Sequence, residues 1–562
     1  MVALVIAGRV TLSGGVVAIR KDRVTRSISR RTALVGGIAA VGAAGAAGIG
    51  GGLGGRTVSG RAAGEAMTVR GRPAASMPDP FRLGVASGEP SADGLVLWTR
   101  LAPQPLADDG LGGMPDRTVP VEWEIATDEQ FRTVVRRGTE DATRSGAHSV
   151  HVELDGLAPG AEYFYRFRAA GHVSPAGRTR TAPAGGAGDS ELTMCFVSCA
   201  EYEHGYFTVY RRLAEDHPDL VLHLGDYIYE YKPGGYPVPS GIARDHVGPE
   251  AHTLASYRQR YAQYKTDHDL QAAHATAPWV VVLDDHEVDN NWADMYYEKP
   301  ERPQPNFPAR RAAAYRSYYE NKPLRRSSAP RGADMPLYRR LKWGELATFH
   351  MLDTRQYRDD QACGDGAKSC PDRLAPTRTI TGAEQQRWLL DGLRKSRARW
   401  DVLGQQVFFS QLDEQPGAAE KNNLDVWDGY AADRDRVIAG WMAARVRNPV
   451  VLTGDVHSAW AADIKQRWND PAAPTVGTEL VTTSITSGGD GSETRPTTDA
   501  VLRENPHLRF FNNRRGYVRT HITPDRIHAD FVGLAYVSRP GAAAETKASF
   551  VVEDGRPGLE PA

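Results

Sequence analysis

Beyond Leu192, five apolar runs of strand length each stop at a side chain able to hold a metal or an anion. TMCFVSC ends at Cys199, LVLHLGD at Asp226, WVVVLDDHE at Asp285 and His286, LATFHMLDTR at Arg355, and PVVLTGDVH at Asp455 and His457. Between them lie longer helical patterns, including YFTVYRRLAED (206–216), LASYRQRYAQYKTD (254–267) and AEQQRWLLDGLRKSRA (383–398). Strands alternating with helices predict a layered α/β domain, and the strand ends of such a domain converge on one edge, where loops carry polar groups without burying them. A single strand stopping at Gly-Asp is ordinary core; five such endings predict a site.

The residue types specify the chemistry. Asp226, Asp285 and Asp455 offer hard anionic oxygens, His286 and His457 imidazoles, Cys199 a thiolate and Tyr229 a phenolate. Phenolate and thiolate favour a Lewis-acidic iron, whereas carboxylates and the amide oxygens of Asn290 and Asn291 suit calcium, so the mixture points to unlike metals. Two cations ~3.5–4 Å apart clamp a phosphoryl group and activate water. Arg355 would grip two phosphate oxygens with its planar guanidinium.

Ahead of this region, residues 80–183 alternate in short runs such as GLVLWTRL and VPVEWEIAT, the pattern of antiparallel strands in a sandwich. Leu157-Ala158-Pro159-Gly160 followed by Tyr163 and Tyr165 resembles the corner of a fibronectin type III-like domain, in which a tyrosine hydroxyl ties a strand to the preceding turn. At the N-terminus, Arg30-Arg31 directly precedes a run rich in Gly and Ala that reaches about Leu53, which looks like a twin-arginine export signal with its linker over 1–66. A protein exported by that machinery is expected outside the membrane or in the cell envelope. Cys363 and Cys370 would close a disulfide loop in such an oxidising compartment. A formal net charge of −1 over 562 residues gives no reason to expect nucleic acid as a partner, and the chain is expected to be a monomer.

FVSC, GDYIYE, YRQRY, DDHEVDNNWA, LDTRQYR and GDVHSAW, in that order, resemble the PhoD family of secreted alkaline phosphatases and phosphodiesterases, and the likeness covers nearly everything from Phe81 onward. The resemblance implies a metallophosphoesterase four-layer sandwich over 192–550 holding Fe3+ and Ca2+. Cys199, Asp226 and Tyr229 would take the iron with His457 as a further ligand, and Asp226 would bridge to calcium. Asp455 and one residue of DDHEVDNN, among Asp285, Asn290 and Asn291, would complete the calcium side, with His286 stabilising the leaving group. Cys199 stands where the wider superfamily has Asp-x-His, so ligand roles taken from those relatives do not transfer directly.

The expected activity is hydrolysis of phosphate monoesters or diesters. Alternatives are phospholipase D action through the same metals, a secreted binding protein with structural metals, and a redox iron protein. Cys195 and His223 fall inside apolar runs and read as core. Glu201 and His204 carry little independent support. RFFNNRRGYVRTHI (509–522) reads as a strand or as a lid whose Asn and Arg side chains reach the substrate, and the segment after it as a final strand with an exposed tail.

Overall fold

The computed structural model describes residues 77–562 except 187–190, 300, 302, 418 and 471. The expected export signal at 1–66 lies outside the described residues. Among those described, no helix is long and apolar enough to cross a membrane.

Two mixed sheets form the centre. In the first, Leu192–Val197, Leu220–His223 and Pro278–Val281 run parallel. In the second, Ala347–Met351, Trp400–Gly404, Pro449–Thr453 and Thr475–Val481 do the same. The long strand Leu508–Ile522 belongs to both, pairing with Ala459–Lys465 at its start and with Leu192–Val197 further on. This segment is therefore a strand, as its alternation suggested.

Strand alternation sorts side chains between the layers. Met194, Phe196, Leu220 and Leu222 meet Phe349, Met351, Val450 and Leu452 in a core between the sheets. Cys195, Val197 and Val221 face the other way, into a layer built from helices Thr208–Glu215, Leu254–Lys265, His268–Thr276 and Phe307–Glu320. Helices Gly382–Lys395 and Ala431–Ala443 cover the outer face of the second sheet through Leu389, Leu393, Val437 and Trp441. The result is the four-layer sandwich expected, with Cys195 and His223 buried as core.

The N-terminal strands form the expected sandwich, one sheet of which is continuous with the catalytic layers. Val119–Ala126, Val134–Ala142, Glu162–Ala169 and Gly177–Arg180 form a separate sheet with His172–Val173. Val85–Gly88, Leu95–Arg100 and Ser149–Leu154 pack against it but extend the first catalytic sheet, since Val85–Gly88 pairs in parallel with Pro278–Val281. The cause is an unpaired edge: Pro278–Val281 offers backbone groups that another strand must satisfy. The tyrosine corner is present, with the Ala158 N–H donating to the Tyr163 hydroxyl at 3.0 Å. At the other end, Arg556–Pro561 is no exposed tail; it pairs with Ala544–Glu553 and buries Leu559, so the sheet runs past 550.

Candidate metal centre

Each parallel strand delivers its polar residue just past its C-terminal end. Gly225 enters this edge at φ +106°, and a Cβ there would lie 2.5 Å from Asp284 Cβ, so only glycine lets the Asp226 turn close onto the Asp284-Asp285 turn. Asp226 itself takes φ +53°, Cys199 +62°, Asn291 +48°, Asp455 +65° and His457 +53°. Five of the sequence-expected ligands thus sit in the left-handed region that costs non-glycine residues of order 1–3 kcal/mol each.

The ligand atoms of Cys199, Asp226 and His457 lie within 4.8 Å of one another. The Tyr229 hydroxyl joins them, donating to Asp226 Oδ2 at 3.0 Å and lying 3.0 Å from His457 Nε2. Ser487 donates to the same phenol at 2.8 Å and to the Cys199 carbonyl at 2.9 Å. Two further groups adjoin through shared carboxylates, Asp226–Asp285–His286 and Asp284–Asp285–Asp455.

The electrostatics of this cluster call for a cation. Burial and the neighbouring Asp226 push the Cys199 thiol and the Tyr229 phenol well above their ordinary ranges. Burial and Asp285 raise Asp226, and burial raises Asp455 to about 7 against the pull of Arg355. Upward shifts of this kind arise when carboxylates share a site, and a cation would reverse them. Asp285 Oδ1 and Asp284 Oδ2 are buried with no hydrogen-bond partner among the described residues, a costly state for a carboxylate that suits it to hold a cation. The donor set, soft thiolate and phenolate on one side and carboxylates on the other, fits two different metals.

His286 is oriented by Glu230, whose Oε2 lies 2.8 Å from Nδ1, and its ring stacks on Tyr229 at 4.0 Å. Burial alone would lower its pKa, yet Asp285, Glu230 and Asp226 together hold it well above the ordinary value. Glu287 accepts from the backbone N–H groups of Asp226, Tyr227 and Asp284 and so locks the two acidic turns in register.

Other residues singled out in the sequence have partners of their own. Arg355 is no free clamp: it is fully buried, its Nε donates to Asp284 at 2.5 Å and its Nη1 to Asp425 at 2.9 Å. Only Nη2 lacks a hydrogen-bond partner, 3.7 Å from Asp285 and 3.8 Å from Asp455, so Arg355 balances the acidic turns. Asn291 uses its backbone N–H to hold Asp285 at 2.8 Å, while its side-chain amide donates to Asp365 at 2.8 Å; Asn290 donates its backbone N–H to Glu230. Of the three calcium-side candidates, Asp285 alone has its side-chain ligand atom shown in the cluster. Glu201 caps the turn at 202–204, and His204 bonds Gly488 N and Tyr236 O, so both are scaffold. Cys363 and Cys370 form a disulfide whose loop carries Asp365 to Asn291.

Sequence reading missed Asp284, Glu230, Glu287, Asp425 and Ser487. Asp284 and Glu287 flank the expected residues in DDHE, and Glu230 closes GDYIYE, so adjacency was their signal. Asp425 and Ser487 had none.

The centre opens into a cleft of about 270 Å³ that exposes Asp455, His457 and Asn291. A larger groove of about 1170 Å³ runs along Arg339–Trp343 and contains none of these residues.

The chain is similar to known phosphatases. The PhoD-like phosphatase model matches residues 194–531, and the model of the PhoD-like phosphatase N-terminal domain matches 65–183. The chain is 51% identical over 481 residues to alkaline phosphatase D of Bacillus subtilis (strain 168), covering 85% of this chain and 82% of that one. A solved structure of PhoD, also 51% identical, matches 86% of this chain and 92% of its own with a TM-score of 0.84. Purple acid phosphatase PPD1 from yellow lupin seeds shares the fold at 12% identity and a TM-score of 0.51, over 84% of this chain and 74% of its own.

Proposed function

The chain belongs to the PhoD-like phosphatase family and is a phosphoric ester hydrolase with a metal cofactor, and from that premise we propose that the strand-end cluster is its catalytic centre, holding Fe3+ and Ca2+. Cys199, Asp226, Tyr229 and His457 would hold the iron, and Asp455 with one residue among Asp285, Asn290 and Asn291 the calcium; Asp285, whose carboxylate lies in the cluster, is the favoured one, and Asp226 belongs to both ligand groups. The observation that carries this reading is the convergence of a thiol, a phenol, an imidazole and a carboxylate from three segments of the chain, with Tyr229 3.0 Å from both Asp226 and His457. Cations bound there supply Lewis acidity toward the phosphoryl oxygens and lower the pKa of water enough to make a nucleophile.

The chain's own groups do the rest. Cationic His286, fixed by Glu230, can give its Nε2 proton to the departing alcohol oxygen. Arg355 offsets the charge of Asp284, Asp285, Asp425 and Asp455 and keeps their carboxylates apart. No side chain is required as the attacking nucleophile. Phosphate monoesters and diesters are the proposed substrates. Export through the twin-arginine pathway, from Arg30-Arg31, and a monomeric state complete the proposal.

Metal analysis with visible spectroscopy tests it. Native protein carries iron and calcium and shows a phenolate-to-iron absorption band; Tyr229→Phe loses the band while keeping its far-UV circular dichroism. Protein free of iron yet fully active would refute the assignment.

A further inference from the structure

The cleft that exposes Asp455 and His457 has two unlike features beyond the metal ligands. One is an apolar lining from Leu412, Val426, Val456 and Trp460, the last packed edge-to-face on Phe408 at 5.8 Å. The other is Arg495, which is exposed at the rim. Its guanidinium lies over the Phe511 ring, 5.3 Å from the centroid, and donates to Asn513 Oδ1 at 2.9 Å. Among the described residues it forms no ion pair. The nearby carboxylate Glu414 lines the same cleft and attracts Arg495 without closing an ion pair with it. Stacking on an aromatic face and one neutral hydrogen bond hold the fork in place and leave its remaining donors for a ligand.

A cleft of about 270 Å³ is at the low end of small-molecule sites. It suits a compact alcohol group with a flat or aliphatic body. Nothing in the metal centre needs a further cation so far along the wall, because Arg355 and His286 already serve the acidic turns. Resting on the hydrolase reading above, we propose that Arg495 is a specificity-determining residue: it selects phosphate esters whose alcohol carries a second anionic group, with the body of that alcohol lying against Leu412, Val426 and Trp460. Binding energy taken from a part of the substrate remote from the reacting phosphorus is a usual source of selectivity in kcat/KM.

The test compares two esters that differ in the distal charge, phenyl phosphate and 4-carboxyphenyl phosphate, on native protein, Arg495→Ala and Arg495→Lys. The ratio of variant to native kcat/KM cancels the different leaving abilities of the two phenols. Arg495→Ala is expected to lose about threefold to fivefold on the carboxylate ester, the upper worth of one exposed charge pair, and less than about twofold on phenyl phosphate. Arg495→Lys recovers most of the loss, and added salt lowers the preference of native protein for the carboxylate ester without affecting the alanine variant. Because Arg495 is exposed and makes only the stacking contact and one hydrogen bond, its loss is expected to change the melting temperature little, which is measured alongside. Equal losses on both esters, or no loss on either, overturn the inference while leaving the hydrolase reading intact. Native protein inert toward both esters overturns the hydrolase reading, and the inference with it.

Discussion

At the scale of single residues the centre is strained and charge-crowded in the same places. Asp455 combines a left-handed backbone, burial and the Asp285 carboxylate nearby. Asp455→Gly removes all three costs, so it is expected to be at least as stable to urea as native protein, while losing on the order of 10²-fold in activity, the trade-off of a site held against its local preference. Lower stability together with native activity would show that Asp455 is ordinary scaffold. Glu230 acts through His286. Glu230→Gln weakens the counter-charge that holds the imidazole protonated, so the alkaline limb of the kcat profile is expected to move to lower pH and kcat to fall about tenfold to a hundredfold. An unmoved limb would place the leaving-group proton elsewhere.

At the scale of elements, turns and bridges hold what the strands deliver. Tyr163→Phe removes the hydroxyl that accepts the Ala158 N–H and is expected to cost about 1 kcal/mol in chemical denaturation, without changing activity. Reading the sequence worked where function depends on local order. Gly225-Asp226, Gly454-Asp455 and Cys199 stand at strand ends because a parallel sheet brings its C-terminal ends to one edge, and that rule needs no knowledge of the partners. It failed where long-range pairing decides. Arg355 has the right chemistry for a phosphate, but Asp284 and Asp425, each about 70 positions away, occupy its fork. Asn291 likewise has a partner that local order does not announce, its amide nitrogen donating to Asp365 of the disulfide loop. The N-terminal strands read as a separate module because their alternation says nothing about whose edge they will extend; Pro278–Val281 settles that only in three dimensions.

At the scale of the molecule, the N-terminal strands and the catalytic layers share a sheet and buried contacts. His151, on Ser149–Leu154, stacks on Tyr319 at 4.5 Å and bonds the carbonyls of Tyr319 and Lys322 at the end of helix Phe307–Glu320. Burial lowers its pKa to about 4. The unfolded chain therefore takes up this proton below pH ~6.5, the folded chain only near 4, and stability falls as pH drops through that window. Replacing His151 with Gln is expected to remove roughly 2 kcal/mol of the stability difference between pH 7 and pH 5, read by urea denaturation at the two pH values; an unchanged difference would mean the imidazole is accessible to protons in the native state. The central claim, that the strand-end cluster is a metal centre that hydrolyses phosphate esters, meets its most direct test in turnover. The measurement is hydrolysis of a phosphate monoester, a phosphate diester and a phosphatidylcholine dispersion at alkaline pH by metal-loaded native protein and by Asp226→Ala. Native protein is predicted to turn over the monoester or the diester, with the variant folded and inactive on every substrate; an Asp226→Ala protein that retained native turnover would contradict the account.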